Sequence, residues 1–98
     1  MNNMALLDLK SIIIRILAKS PKHGYQLAKE ISLVLGKEVS VGGMYPILKE
    51  LESNGIILGH EMVEFGRFKK TYSLTSKGRK EAKEVERNFK LLKKVMEK

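Results

Sequence analysis

The spacing of the apolar residues changes twice along this chain, and these changes restrict the folds it can adopt. As far as Asn54 they recur every three or four residues, as on one face of a helix. Between Ile56 and Leu74 two short runs are typical of strands, and helical spacing returns after Thr75. The 98 residues leave room for one domain with one core. We therefore expect a mainly α fold of the α+β class, with four helices and one hairpin.

Breaking and capping residues delimit the first three helices. The first is predicted from Leu6 to Lys19, because Ser20-Pro21 follows it. The second is predicted from Gly24 to Leu35, with Gly36 as its C-terminal cap. Ser40 is expected to cap a third helix that reaches Ser53. The apolar residues that keep helical spacing are Leu6, Leu9, Ile13, Ile16, Leu17, Leu27, Ala28, Ile31, Val34, Leu35, Met44, Ile47, Leu48 and Leu51.

The hairpin is predicted from two strands, Ile56 to Phe65 and Phe68 to Leu74. Gly66-Arg67 between them suits a tight turn, since glycine readily takes a positive φ. Strand alternation places Tyr72 and Leu74 on one face. Thr75 or Ser76 is then expected to cap a last helix that reaches about Glu97.

The first and last helices carry more apolar surface than one small core needs. Leu7 and Ile14 lie off the main stripe of the first helix, so a second side of it is expected to be buried, plausibly by a partner subunit. The last helix has apolar residues at heptad spacing, which favours pairing with another helix. The expected dimer residues are Met4, Leu7, Ile14, Ala82, Val85, Phe89, Leu92 and Met96.

Several functional classes are disfavoured by what the sequence lacks. Cysteine is absent, which excludes disulfides and thiolate metal sites and fits a reducing cytoplasm. The apolar run Ile12-Ile13-Ile14 is closed by Arg15, far too early for a membrane span. His23 and His60 belong to no ligand cluster or nucleophile motif, so no enzyme, metal or cofactor is expected.

The formal net charge of +8 favours a polyanionic partner. Much of this excess lies in the last helix, however, where 9 basic and 4 acidic residues follow Ser76. That helix face is interpreted as solvated, and net charge alone does not locate a binding surface.

The predicted order of elements is that of a winged helix-turn-helix, in which one helix fits the major groove of DNA. The third helix has a face opposite its apolar stripe, with two glycines at its start that allow close backbone approach. Basic residues near the hairpin turn would reach the flanking backbone or the minor groove. The candidate DNA-binding residues are Lys22, His23, Tyr25, Gln26, Gly42, Gly43, Tyr45, Lys49, Arg67, Lys69 and Lys70.

Three blocks of the sequence resemble the PadR family of transcriptional regulators. They are His23 to Leu27, Val41 to Ile57 with its distinctive Tyr45-Pro46, and Lys70 to Arg79. The resemblance implies a homodimeric repressor on a palindromic operator, often responsive to a small aromatic molecule. It implies dimerisation through the first and last helices, and the single short C-terminal helix is similar to the compact branch of the family.

These observations predict residues 1–76 as a winged helix-turn-helix DNA-binding domain and residues 77–98 as a C-terminal dimerisation helix in the same structural unit. The expected partners are double-stranded DNA, a second copy of the chain and, as the resemblance implies, a small aromatic effector, and not a membrane. Two alternatives stay open: a winged helix that binds another protein, since fold does not fix function, and a ligand-binding dimer with a secondary DNA role. The basic hairpin residues discriminate between DNA binding and protein binding. Replacing them should weaken binding to DNA but leave binding to a neutral protein surface unchanged.

Overall fold

A computed structural model describes residues 8–97. Within them the chain forms four helices and a small sheet, which confirms the mainly α winged helix-turn-helix fold predicted from the sequence. The predicted helix start at Leu6 and the predicted dimer residues Met4 and Leu7 lie outside the described residues. The elements in chain order are α1 (Leu9–Leu17), β1 (Lys22–His23), α2 (Gly24–Leu35), α3 (Val41–Ser53), β2 (Ile57–Glu64), β3 (Arg67–Leu74) and α4 (Ser76–Met96).

The helix ends follow the local chemistry of the capping residues. Asp8 caps α1 by accepting a hydrogen bond from the N–H of Ser11. Ser40 accepts from the N–H of Gly43, and Thr75 accepts from the N–H of Gly78, each at 3.0 Å. Gly36 ends α2 in the left-handed region, with φ 69°. The predicted caps of α2, α3 and α4 are therefore confirmed.

The core lies where α1 meets the other helices and β3. The largest completely buried side chains are Ile13, Leu27, Ile31, Met44 and Leu48. They come from the apolar stripes of α1, α2 and α3, as the helical spacing predicts. Around them lie Ile12, Ile14, Leu17, Ala28, Leu51, Ile56, Ile57, Tyr72, Leu74 and Val85.

The end of α2 differs from the prediction. Val34 and Leu35 keep helical spacing with the buried residues, but Val34 is 63% exposed and Leu35 39% exposed. The reason is that α2 buries only Leu27, Ala28 and Ile31, so its last turn extends beyond the core.

The sheet is antiparallel, with strand order β1-β3-β2. The short strand β1, which was not predicted, pairs Lys22 with Tyr72 and His23 with Thr71. In β3, Tyr72 and Leu74 are both buried, which confirms the predicted alternation.

The hairpin turn lies one residue earlier than predicted. Glu64 pairs with Arg67, so the loop consists of Phe65 and Gly66. Both have positive φ, 52° and 74°, as a type I′ turn requires. Arg67 cannot be a turn residue because it already belongs to β3. The wing, which we define as β2, β3 and this turn, projects beyond the core.

The start of α4 packs closely on the segment that joins α3 to β2. A Cβ at Gly78 would lie 2.0 Å from the carbonyl oxygen of Ile56, so only glycine fits there without a backbone shift. From this point α4 runs along α1. Of the helices between residues 8 and 97, none is both long enough and apolar enough to cross a membrane.

Candidate nucleic-acid interface

The outer face of α3 is exposed at Gly42, Tyr45 and Lys49, and the wing covers part of it at Glu52. Met44, Leu48 and Leu51 hold the opposite face in the core. Tyr45 is 48% exposed, and the ammonium of Lys49 lies 5.8 Å from the centroid of its ring. This face therefore presents one phenol and one cation on a helix that the core holds rigidly.

Gly42 and Gly43 occupy the first turn of α3, and only Gly43 has a packing reason to be glycine, since a Cβ there would lie 3.2 Å from the Ser40 hydroxyl. A Cβ at Gly42 would have only the hydroxyl of Ser40 near it, at 4.0 Å, and neither residue has a positive φ. Glycine costs a helix roughly 1 kcal/mol relative to alanine. Nothing among the described residues offsets this cost at Gly42, so this glycine is explained better by the close approach of a molecule bound to α3.

The wing is fastened to α3 by Lys70. Its ammonium lies 3.4 Å from a carboxylate oxygen of Glu52 on α3 and 5.5 Å from the ring centroid of Tyr72. Burial lowers the pKa of the Lys70 ammonium, but interactions with Tyr72 and Glu52 outweigh it, and the pKa is raised overall. A Cβ at Gly59 would lie 2.4 Å from Cε of Lys70, so glycine makes room for this link. Lys70 is thus placed to position the wing.

The other basic residues of the wing differ in their partners. Lys69 donates to Glu64 at 2.9 Å, and this hydrogen bond, with the charge of Lys69, lowers the pKa of Glu64. Arg67 is exposed and forms no ion pair with any residue between 8 and 97. Of the three predicted basic residues in the wing, Arg67 is the one whose charge is free for an external anion.

The start of α2 is organised by its own side chains. The N–H of His23 donates to Oε1 of Gln26, and Nδ1 of His23 lies 2.9 Å from the hydroxyl of Thr71. Lys22 pairs with Glu30 at 3.2 Å. Tyr25 is 72% exposed. His23 and Gln26 therefore cap the start of α2 and so position Tyr25, which lies between them. This capping role was not expected from the sequence.

A groove brings most of the predicted DNA-binding residues outside α3 together. It has a volume of about 580 Å³ and lies between the start of α2 and the wing, with Val41 of α3 at its edge. Lys22 is not one of the residues that line the groove, and Tyr45 and Lys49 lie on the separate outer face of α3. The predicted DNA-binding residues that line the groove are His23, Tyr25, Gln26, Arg67, Lys69 and Lys70.

Phe65 and Phe68 were missed by the sequence analysis. They are 96% and 72% exposed near the end of the wing. The sequence did contain a signal for Phe65, because it directly precedes the turn glycine Gly66, where a polar residue is usual.

The predicted dimer residues fall into two groups. Ile14 and Val85 are 4% and 8% exposed, so the core of one protomer already takes up most of their surface. Ala82, Phe89 and Leu92 are half-buried, while Met96 is 74% exposed. Ile14 therefore contributes to the protomer core, and the free apolar surface lies on the second half of α4.

A shallow apolar cavity of about 430 Å³ adjoins this surface between α1, α2 and α4. Phe89 lines it, and the guanidinium of Arg15 lies 4.2 Å from the centroid of the Phe89 ring. Arg15 also pairs with Glu86 at 3.1 Å. Over the described part of the chain, no group of acidic, histidine or cysteine residues is arranged to hold a metal ion.

Comparison with known proteins gives a consistent result. The family model described as the Transcriptional regulator PadR-like family matches residues 13–84. The transcriptional regulator Rv3488 of Mycobacterium tuberculosis is 36% identical over 67 residues. The match covers 68% of this chain and 62% of that protein, so the chain spans less than two thirds of its curated relative.

Solved structures share the fold. A PadR-like transcriptional regulator of Bacillus cereus has a TM-score of 0.81 at 23% identity, with 98% of this chain and 94% of that chain covered. The protein smu.1704 of Streptococcus mutans has a TM-score of 0.80 at 29% identity, covering 95% and 85%. PadR of Bacillus subtilis, solved in complex with operator DNA, has a TM-score of 0.68 at 29% identity, covering 78% of this chain and 45% of that chain.

A helix exposed beside a fastened hairpin, on a core of three helices, defines the chain as a winged-helix protein. The family match extends over more than half of it. The chain belongs to the PadR-like family of transcriptional regulators, which confirms the resemblance stated from the sequence. Because this family consists of regulators, the prediction that the chain is not an enzyme is also confirmed.

Proposed function

We propose that this chain is a cytoplasmic homodimeric repressor that binds a palindromic operator. The observation that carries the proposal is the outer face of α3, where the exposed Gly42 leaves the backbone of the first turn open to close approach. The relative from Bacillus subtilis, whose fold this chain shares, was solved with operator DNA.

In this proposal α3 enters the major groove. Its first turn would bind a backbone phosphate through the free N–H groups of a helix start, which attract anions. The hydroxyl of Tyr45 would donate to a second phosphate, and Lys49 would add charge near the bases. Residues 1–76 would form the DNA-binding unit.

The wing would bind the DNA that flanks this site. Arg67 forms no ion pair with another residue in the range 8–97, whereas Lys70 is linked to Glu52 and holds the wing at a fixed position beside α3. Tyr25, on the other side of the groove, would contact the backbone from α2. The proposal thus assigns charge to Arg67 and positioning to Lys70.

Dimerisation would place two copies of α3 about 34 Å apart, one turn of B-DNA. Residues 77–98 would supply the interface together with α1, since the apolar side chains of Leu91, Val95 and Met96 on α4 are exposed. An aromatic effector could bind in the crevice beside Phe89 and relieve repression by changing the angle between protomers.

The contribution of the wing is tested by two variants with the same charge change. Arg67→Gln should weaken binding to operator duplex and reduce the slope of log affinity against log salt by about one unit. Arg87→Gln, on α4 and paired with Glu84, should leave the slope unchanged. Equal slopes for wild type and Arg67→Gln would remove the wing from the proposal.

A further inference from the structure

The turn of the wing holds a residue that neither its backbone nor its packing explains. Phe65 is 96% exposed, and its φ is 52°. A non-glycine residue in the left-handed region costs about 1–2 kcal/mol, and asparagine, aspartate or glycine is preferred at this position of a type I′ turn. In the described structure the phenyl ring gains no contact that offsets this cost.

Two further apolar side chains lie beside Phe65. Val63 and Phe68 are directly opposite each other on β2 and β3, and they are 65% and 72% exposed. Arg67, which has no ion pair with a described residue, lies between the two phenylalanines in the sequence. The end of the wing therefore carries three exposed apolar side chains, together with the guanidinium of Arg67.

The orientation of Val63 and Phe68 follows from strand alternation. Phe68, Lys70 and Tyr72 share one face of β3. Lys70 on that face is linked to Glu52 of α3, and Phe68 lines the groove beside Arg67 and Tyr25. Phe68 and its cross-strand neighbour Val63 are thus turned to the same side as Lys70, and the link from Lys70 to Glu52 holds this face of the wing beside α3.

We propose that Phe65 is a wedge that inserts between two base pairs from the minor groove beside the site bound by α3. This inference rests on the proposed function. Apolar side chains that enter the minor groove unstack a base step and kink the duplex, and Arg67 would neutralise the adjacent phosphates. Pyrimidine–purine steps such as TA unstack most easily, so Phe65 would select for such a step at the flank of the operator.

Two variants separate the wedge from the fold of the turn. Phe65→Asn removes the ring but suits a positive φ, so thermal unfolding should occur at the same or a higher temperature than in wild type. Phe65→Leu keeps an apolar wedge and serves as the matched control. Affinity is measured by fluorescence anisotropy on operator duplex, and bending by energy transfer between dyes at the two duplex ends.

We expect Phe65→Asn to bind roughly tenfold to a hundredfold more weakly than wild type, as for loss of one aromatic stacking contact. It should also leave the duplex straighter, whereas Phe65→Leu should retain most of the affinity and the bend. Two duplexes that differ only in having TA or GC as the base step at this flank test the selection. Wild type should bind the GC duplex more weakly than the TA duplex, whereas Phe65→Asn should bind both equally.

The wedge is overturned if Phe65→Asn binds and bends operator DNA as wild type does, while the proposed function stands. It is also overturned if Phe65→Asn changes only the oligomeric state, because the ring then contacts protein. Failure of the wild-type chain to prefer any duplex over a scrambled one would instead refute the proposed function itself.

Discussion

Replacing Gly42 with alanine should raise stability and lower DNA affinity at the same time. Gly42 is helical, and a new Cβ would meet only the Ser40 hydroxyl, at 4.0 Å. Alanine should therefore stabilise α3 by about 0.5–1 kcal/mol through helix propensity. For a domain of this size, that corresponds to a rise in the midpoint of thermal unfolding of roughly 2–8 °C.

The same methyl group would stand where we place a backbone phosphate. Loss of one hydrogen bond to a charged group costs about 1.5–3 kcal/mol. The affinity of Gly42→Ala for operator duplex should therefore fall roughly tenfold to a hundredfold. The two effects have opposite signs, so a general loss of folded protein cannot imitate the result.

Thermal unfolding followed by circular dichroism and DNA binding followed by anisotropy would be measured in the same buffer. Ser53→Ala is the matched control, because it also replaces an exposed residue of α3 with a better helix former, about 16 Å along the helix from Gly42. It should raise stability without changing affinity. Unchanged affinity in Gly42→Ala would refute close approach of DNA to the first turn, and lowered stability would refute the propensity argument.

Three further outcomes follow from other parts of the structure. Gly78→Ala should lower the free energy of unfolding by about 1–3 kcal/mol in denaturant titration, since its Cβ would meet the Ile56 carbonyl; wild-type stability would contradict this close packing. Leu92→Asp should give monomers in sedimentation velocity, and a variant that stays dimeric would exclude the α4 interface. Burial raises the pKa of Tyr72 above its ordinary 10.0, although Lys70 opposes the shift. The Tyr72 contribution to stability is therefore complete below pH 10.0 and lost as pH rises through the folded-state pKa; ultraviolet titration against Tyr72→Phe should show its ionisation above pH 10.0.

The helices could be predicted because their ends depend on local chemistry. Ser40, Thr75 and Gly36 each satisfy a backbone group one turn away, so the sequence alone identifies them. The strand β1 could not be predicted, because two residues show no alternation and Lys22 and His23 are extended only by pairing with β3.

The turn was misplaced because Phe65 adopts a backbone conformation that its own propensity opposes. Local preference favoured Gly66 and Arg67, but the pairing of Glu64 with Arg67 fixes the loop one residue earlier. Helical spacing likewise could not show that the last turn of α2 extends beyond the core, since burial depends on what packs against it.

The sequence predicted which residues belong to the candidate site, but not the ion pairs that distinguish them from one another. Sequence alone treats Arg67, Lys69 and Lys70 as three similar cations. The structure pairs Lys69 with Glu64 and Lys70 with Glu52, which depends on tertiary contacts that no short motif encodes. Of these three cations, Arg67 is the one without an ion pair to any residue that the structure describes.

The central claim is that this chain recognises a specific DNA sequence. The most direct measurement is its binding to a duplex from the region upstream of its own gene, against a scrambled duplex, over a series of salt concentrations. We predict a preference of about a thousandfold or more at physiological salt, with a footprint of two half-sites one helical turn apart. Weak binding that ignores sequence and disappears with salt would contradict the account and would favour a winged helix that binds another protein.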